Sequence, residues 1–133
     1  MSFVAAKTGL SKPNVSAQDP GLGKAMSLAI DGSIYALEPS GISKFQNGRL
    51  AAFSLNLPTP FSGSGKIYTQ KDFNYLYLLD AGSNSILILD KKGGLVSTLK
   101  SDQFTKLKDF QVDEKNKLIY ALNDGSLLKI SLP

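Results

Sequence analysis

Charged side chains stand at matching places along this chain, and their types limit the chemistry available. Glu38, Asp80 and the neighbours Asn123 and Asp124 each close an apolar run. Carboxylate and amide oxygens in such a series suit a hard cation such as calcium. Short acidic side chains at these places also accept hydrogen bonds from turn amides, and with only one or two groups per run that is the expected role. Lys66 and Lys108 each open an apolar run. Set around the mouth of a channel, they would bind phosphate or a small carboxylate, or else form a solvated rim.

The sequence has no cysteine and no histidine. Disulfides, thiol nucleophiles and thiolate metal sites are therefore excluded, as are Ser-His-Asp chemistry, imidazole general bases and histidine-ligated metals. Fifteen Lys and Arg against eleven Asp and Glu give a net charge of +4. Only Lys91 and Lys92 are adjacent, so the positive charge is scattered. A nucleic-acid footprint needs a clustered basic face with stacking aromatics, and none is expected here.

The elements that must position these groups read as strands. In NYLYLLDAGSNSILILD, residues 74–90, two dense apolar runs flank the turn residues Asp80 to Asn84, which is a hairpin signal. Neither run alternates between apolar and polar, so each is expected in a sheet covered on both faces. SIYAL (33–37), YLYLL (75–79) and LIYAL (118–122) are versions of one strand, and Tyr35, Tyr77 and Tyr120 recur at intervals of 42 and 43 residues. Repeats of that length built from several short strands are the signature of propeller blades.

The expected fold is all-β, a β-propeller of four-stranded antiparallel blades with three blades per chain. Residues 1–24 are expected to hold one strand, SFVAA, and a connector in which Gly9, Pro13, Pro20, Gly21 and Gly23 prohibit regular structure. The blades then take about 25–57, 65–101 and 107–133. Asp31-Gly32 and Asn47-Gly48 are hairpin turns in the first, which is expected to run MSLAI, SIYAL, ISKF, RLAAFSL. The second runs from KIYTQ to LVSTLK. The third ends after SLLKI, without a fourth strand. At 133 residues, 42% hydrophobic and 20% charged, the composition is that of one globular domain. No run of about 18 apolar residues suggests a membrane span. MSFVAAKTGL lacks the basic start and apolar core of a secretory signal, so a cytoplasmic location is the default expectation.

LLDAGSNSILILDKKGGLV, residues 78–96, resembles the core of an NHL-type (YVTN-like) β-propeller repeat, with Asp80, Gly82, Asn84, Ile86, Asp90 and Gly93 or Gly94 at the pattern positions. Ser85 stands where that family often carries Arg, which departs from any nucleic-acid role the resemblance would imply. The first and third blades keep AIDGSIYAL and VDEKNKLIYALN with shorter turns. A looser likeness extends to propeller segments of phosphatase-like bacterial proteins, although no phosphatase motif is present. Propellers host unrelated activities, so the resemblance implies fold more than function.

The strands expected at the channel present Ser27, Ala29, Ile67, Thr69, Asp109 and Gln111, which supply no cluster of carboxylates. A non-catalytic scaffold or protein-interaction module is expected, with no metal or cofactor. The alternative is a propeller that binds a small ligand or sugar in a cleft between blades. Three blades leave two apolar faces uncovered, so two chains are expected to close a six-bladed ring as a homodimer. The first strand, with Phe3 and Val4, would then complete the partner copy's third blade beside Leu127, Leu128 and Ile130. The repeated tyrosines are expected to pack between blades.

Overall fold

The computed structural model describes residues 22–132 together with two short N-terminal strands, β1 (Ala5–Ala6) and β2 (Gly9–Leu10). Three antiparallel sheets follow in chain order. The first blade is β3 (Ser27–Ile30), β4 (Ile34–Glu38), β5 (Gly41–Gln46) and β6 (Arg49–Ala51). The second is β7 (Gly65–Tyr68), β8 (Leu76–Asp80), β9 (Ser85–Leu89) and β10 (Leu95–Leu99). The third has three strands, β11 (Leu107–Asp113), β12 (Leu118–Asn123) and β13 (Ser126–Ser131).

Each blade is a meander because each turn carries the residues its geometry demands. Asn47-Gly48 and Asp124-Gly125 have positive φ at both positions (52° and 76°, 46° and 87°), the two-residue turn whose twist matches antiparallel strands. Both dipeptides tolerate that conformation at low cost, so the flanking strands pair in register, Gln46 with Arg49 and Asn123 with Ser126.

The blades stack face to face with the second as the middle layer. Every residue of β8 and β9 is buried, which explains why neither run alternates in polarity. Their side chains do alternate in direction. Tyr77, Leu79, Ile86 and Ile88 pack with Phe104, Leu107, Phe110, Val112 and Ile119 of the third blade. Leu76, Leu78, Leu87 and Leu89 pack with Ala29, Tyr35 and Leu37 of the first. A bulge in β10 after Leu95 changes parity, so Leu95 joins one cluster and Leu99 the other.

Three expectations need correction. Gly9 does not end regular structure, since Ala5–Ala6 pairs with Gly9–Leu10 as a hairpin where a single strand and an irregular connector were expected. Only two residues intervene, a length that suits an antiparallel hairpin. The residues Ser2, Phe3 and Val4 lie outside the described residues. RLAAFSL is strand only to Ala51. Beyond it the Ser54 and Asn56 amides donate to the Lys92 and Gly93 carbonyls of the second blade, at 3.2 and 3.1 Å, so the backbone has already crossed over. KIYTQ likewise ends at Tyr68, where the Thr69 hydroxyl donates to the Tyr75 carbonyl and closes a turn.

Candidate functional site

Three members of the acidic series, Asp80, Asn123 and Glu38, accept backbone or hydroxyl donors, while Asp124 is exposed in the turn after β12. Asp80, at the end of β8, accepts the Ser62 amide at 3.3 Å and a close hydrogen bond from the Ser62 hydroxyl. Asn123, at the end of β12, accepts the amides of Thr105 and Lys106 at 2.9 and 2.8 Å and donates to the Thr105 hydroxyl at 3.1 Å. Glu38 accepts the Ser43 hydroxyl at 3.0 Å. Asp80 and Asn123 therefore tie each incoming crossing segment to the blade that it enters. Among the described residues no three acidic side chains gather as a metal site.

The two lysines sit on neighbouring first strands. The Lys66 ammonium lies 3.5 Å from the Asp109 carboxylate of the third blade, both side chains about half exposed (48% and 49%). That pairing takes up part of the positive charge an anion would need. Lys108 is exposed on β11.

The seams between blades carry polar groups that sequence reading missed. Between the first and second blades, Asp31 accepts the Tyr35 hydroxyl and the Ser33 amide, each at 3.0 Å, and forms a close ion pair with Lys91. Burial alone would raise the Asp31 pKa, but Lys91, the Ser33 amide and the Tyr35 hydroxyl together hold it below the ordinary value. Lys91 also donates to the Gln70 carbonyl at 3.4 Å, and the Lys44 ammonium sits 5.3 Å above the Tyr35 ring. Between the second and third blades, Glu114 accepts the Tyr77 hydroxyl at 2.9 Å and the Asn74 amide at 2.7 Å. Burial first, then the Glu114 carboxylate, raise both the energetic cost and the pKa of ionising Tyr77, which lies above the usual tyrosine range. The position of Tyr77 in the repeat flagged it for a seam. Nothing in VDEKNK singled out Glu114 over its charged neighbours.

Beside that pair lies a cleft of about 700 Å³, lined by Phe73, Tyr75, Tyr77, Asp113, Glu114 and Lys117 among others. A second groove of about 520 Å³ runs between Leu99 and Phe104 on one side and Leu127 to Ser131 on the other. It follows the outer edge of β13, with which no described strand pairs. The hydrogen bond from the Leu132 amide to the Lys117 carbonyl fixes the register. The amides and carbonyls of Leu127, Lys129 and Ser131 thus belong to the open edge.

The two end blades expose apolar faces. The first shows Leu28, Ile30, Ile34 and Leu50, the last two thirds to three quarters exposed (72%), and the third shows Tyr120, Leu122 and Leu127 (70%). Tyr35 and Tyr77 are packed between blades as expected, whereas Tyr120, their equivalent, is 36% exposed on the uncovered face.

No family model matches the chain, and no curated protein matches it. Solved structures do match, among them the following two. One is KlHsv2 with its loop 6CD replaced by a Gly-Ser linker, at a TM-score of 0.56 and 14% identity over 82% of this chain and 36% of that one. The other is Hsv2 from K. marxianus, at a TM-score of 0.53 and 14% identity over 83% of this chain and 34% of that one. The chain thus spans about a third of the length of the structures it matches, and both are β-propellers. The fold is all-β, three consecutive blades of a β-propeller.

Proposed function

We propose that the protein is a non-catalytic β-propeller scaffold of the NHL type, a half-propeller that two copies complete as a six-bladed ring. The observation that carries this reading is the pair of uncovered apolar faces at opposite ends of the blade stack, Leu28, Ile30 and Leu50 on one and Tyr120, Leu122 and Leu127 on the other. Surfaces of that kind do not persist on a soluble monomer, and closed propellers have about four to eight blades. In a two-fold ring the third blade of each copy meets the first blade of the other, so both faces are buried by one operation. Tyr120 then takes the place in a seam that Tyr35 and Tyr77 already hold. The open edge of β13 receives a strand from the partner's N-terminal segment around Phe3 and Val4, supplying the fourth strand that the first two blades have.

The NHL-type pattern is supported by what its residues do. Asn84 adopts a positive φ of 48° and accepts the Leu107 amide at 3.1 Å, and Asp90 accepts the Lys92 and Gly94 amides at 2.8 and 3.0 Å. The non-catalytic reading rests on the engagement of Glu38, Asp80 and Asp109 by structural donors and on the absence of histidine and cysteine from the sequence. Turnover of generic esters or phosphate esters, lost in Asp109→Ala, would overturn it.

Light scattering tests the ring. Two chains are expected at micromolar concentration, and a weaker dimer after removal of residues 1–8. The mass of one chain at that concentration would refute the ring. An unweakened dimer after the deletion would refute strand exchange alone.

A further inference from the structure

The cleft between the second and third blades presents stacking surface and hydrogen-bonding capacity beyond the contact of Tyr77 with Glu114 that joins the two blades. Its aromatic wall is built from the turn between β7 and β8. Phe73 and Tyr75 are both partly buried, and both meet the buried Tyr77 ring edge to face, at centroid distances of 6.0 and 6.4 Å. Phe73 meets Tyr68 in the same way at 5.7 Å. Rings interlocked like this cannot turn away, so they present fixed apolar surfaces.

The polar side is equally fixed. A carboxylate offers about four lone-pair sites. Glu114 uses one on each oxygen, for the Tyr77 hydroxyl and the Asn74 amide. It is thereby oriented and keeps capacity for two more donors. Around it the lining carries Asp72 and Asp113 of one sign and Lys115 and Lys117 of the other. With Glu114 that makes three negative and two positive side chains, so neither an anion nor a cation finds a matching field. A neutral ligand rich in hydroxyls does, because each hydroxyl both donates to a carboxylate and accepts from a lysine. A pyranose also has an apolar face of C–H groups that rests on an aromatic ring. The volume of about 700 Å³ lies in the range of small-molecule pockets.

We propose that this cleft is a binding site for a neutral saccharide, with Tyr75 and Phe73 as the stacking platform and Glu114 as the oriented acceptor. The site lies within one chain, between its second and third blades, in contrast to the seam that the ring would form between the third blade and the partner's first. It therefore stands or falls independently of the ring.

The test is titration of the full chain with neutral hexoses and N-acetylhexosamines at millimolar concentration, followed by calorimetry and by tyrosine fluorescence. Saturable binding of at least one sugar is expected, weakened about tenfold in Tyr75→Ala, the size of one lost aromatic contact. Binding weakened in Glu114→Gln and unchanged in Lys108→Ala is expected as well. Should Tyr75→Ala fold poorly by circular dichroism, the exposed Asp72→Asn serves as the second variant, with weaker binding again expected. Silence across the sugars, or binding unaltered by these lining changes, would overturn the proposal. A single-chain mass with sugar binding intact would reject the ring and leave this site standing.

Discussion

The Tyr77 hydroxyl donates to Glu114 Oε2 at 2.9 Å across 37 residues of sequence, joining the second blade to the third. Tyr77 lies on a strand buried on both faces, and a buried hydroxyl needs a partner. Glu114 supplies it from the turn of the next blade, and its second oxygen holds the Asn74 amide.

Tyr77→Phe is expected to cost about 1 kcal/mol, the net worth of one hydrogen bond, because the ring stays packed. Glu114→Gln should cost a similar amount. In urea melts the double variant should lose less than the sum of the two, showing that the residues act through one bond. Full additivity would count against the pair. The raised pKa of Tyr77 gives a second readout. A tyrosine whose folded pKa lies above its ordinary value of 10.0 contributes fully below that pH, and the contribution falls as the pH rises above it, where the unfolded chain ionises first. Tyr77→Phe should therefore flatten the loss of stability above about pH 10.

Asp31 has the opposite sign. Its folded pKa lies below the ordinary 3.8, so its contribution is present above that pH and is lost as pH falls through the depressed folded value. Asp31→Asn should lower stability at neutral pH by about 1 to 2 kcal/mol and flatten the acid limb of a stability profile. Lys91→Met should reproduce only part of this, because the Ser33 amide and the Tyr35 hydroxyl remain. An acid limb unchanged in Asp31→Asn would show that other carboxylates set it.

Gly93 marks where the backbone of the first blade's exit crosses the second blade. It has φ of 103°, and a Cβ there would sit 2.1 Å from the Ser54 carbonyl oxygen. Gly93→Ala should cost at least about 2 kcal/mol, combining a left-handed conformation with displacement of the crossing segment. Gly125→Ala, which has open space around it, should cost only the conformational part, about 1 kcal/mol. Equal losses in the two variants by thermal unfolding would mean that the crossing gives way freely.

The repeat, the strands and the stacking order were legible in the residues. The period set by Tyr35, Tyr77 and Tyr120 follows from one strand type reused, and the unbroken apolarity of β8 and β9 required a sheet covered on both sides. The three described strands of the third blade were likewise countable from turns such as Asp124-Gly125, because turn chemistry is local. The seams were not legible. Asp31 and Lys91 meet across 60 residues. Which carboxylate reaches which hydroxyl depends on how far each turn between first and second strands projects, and those turns hold three, seven and four residues in the three blades. The longest carries Phe73 and Tyr75 against the turn that bears Glu114, and so creates the cleft. The pairing of Lys66 with Asp109 joins the first strands of neighbouring blades. Each of these contacts joins side chains from different blades, so only the packing of blade upon blade decides them, whereas periodicity and turn residues act within a blade and were set by the sequence itself.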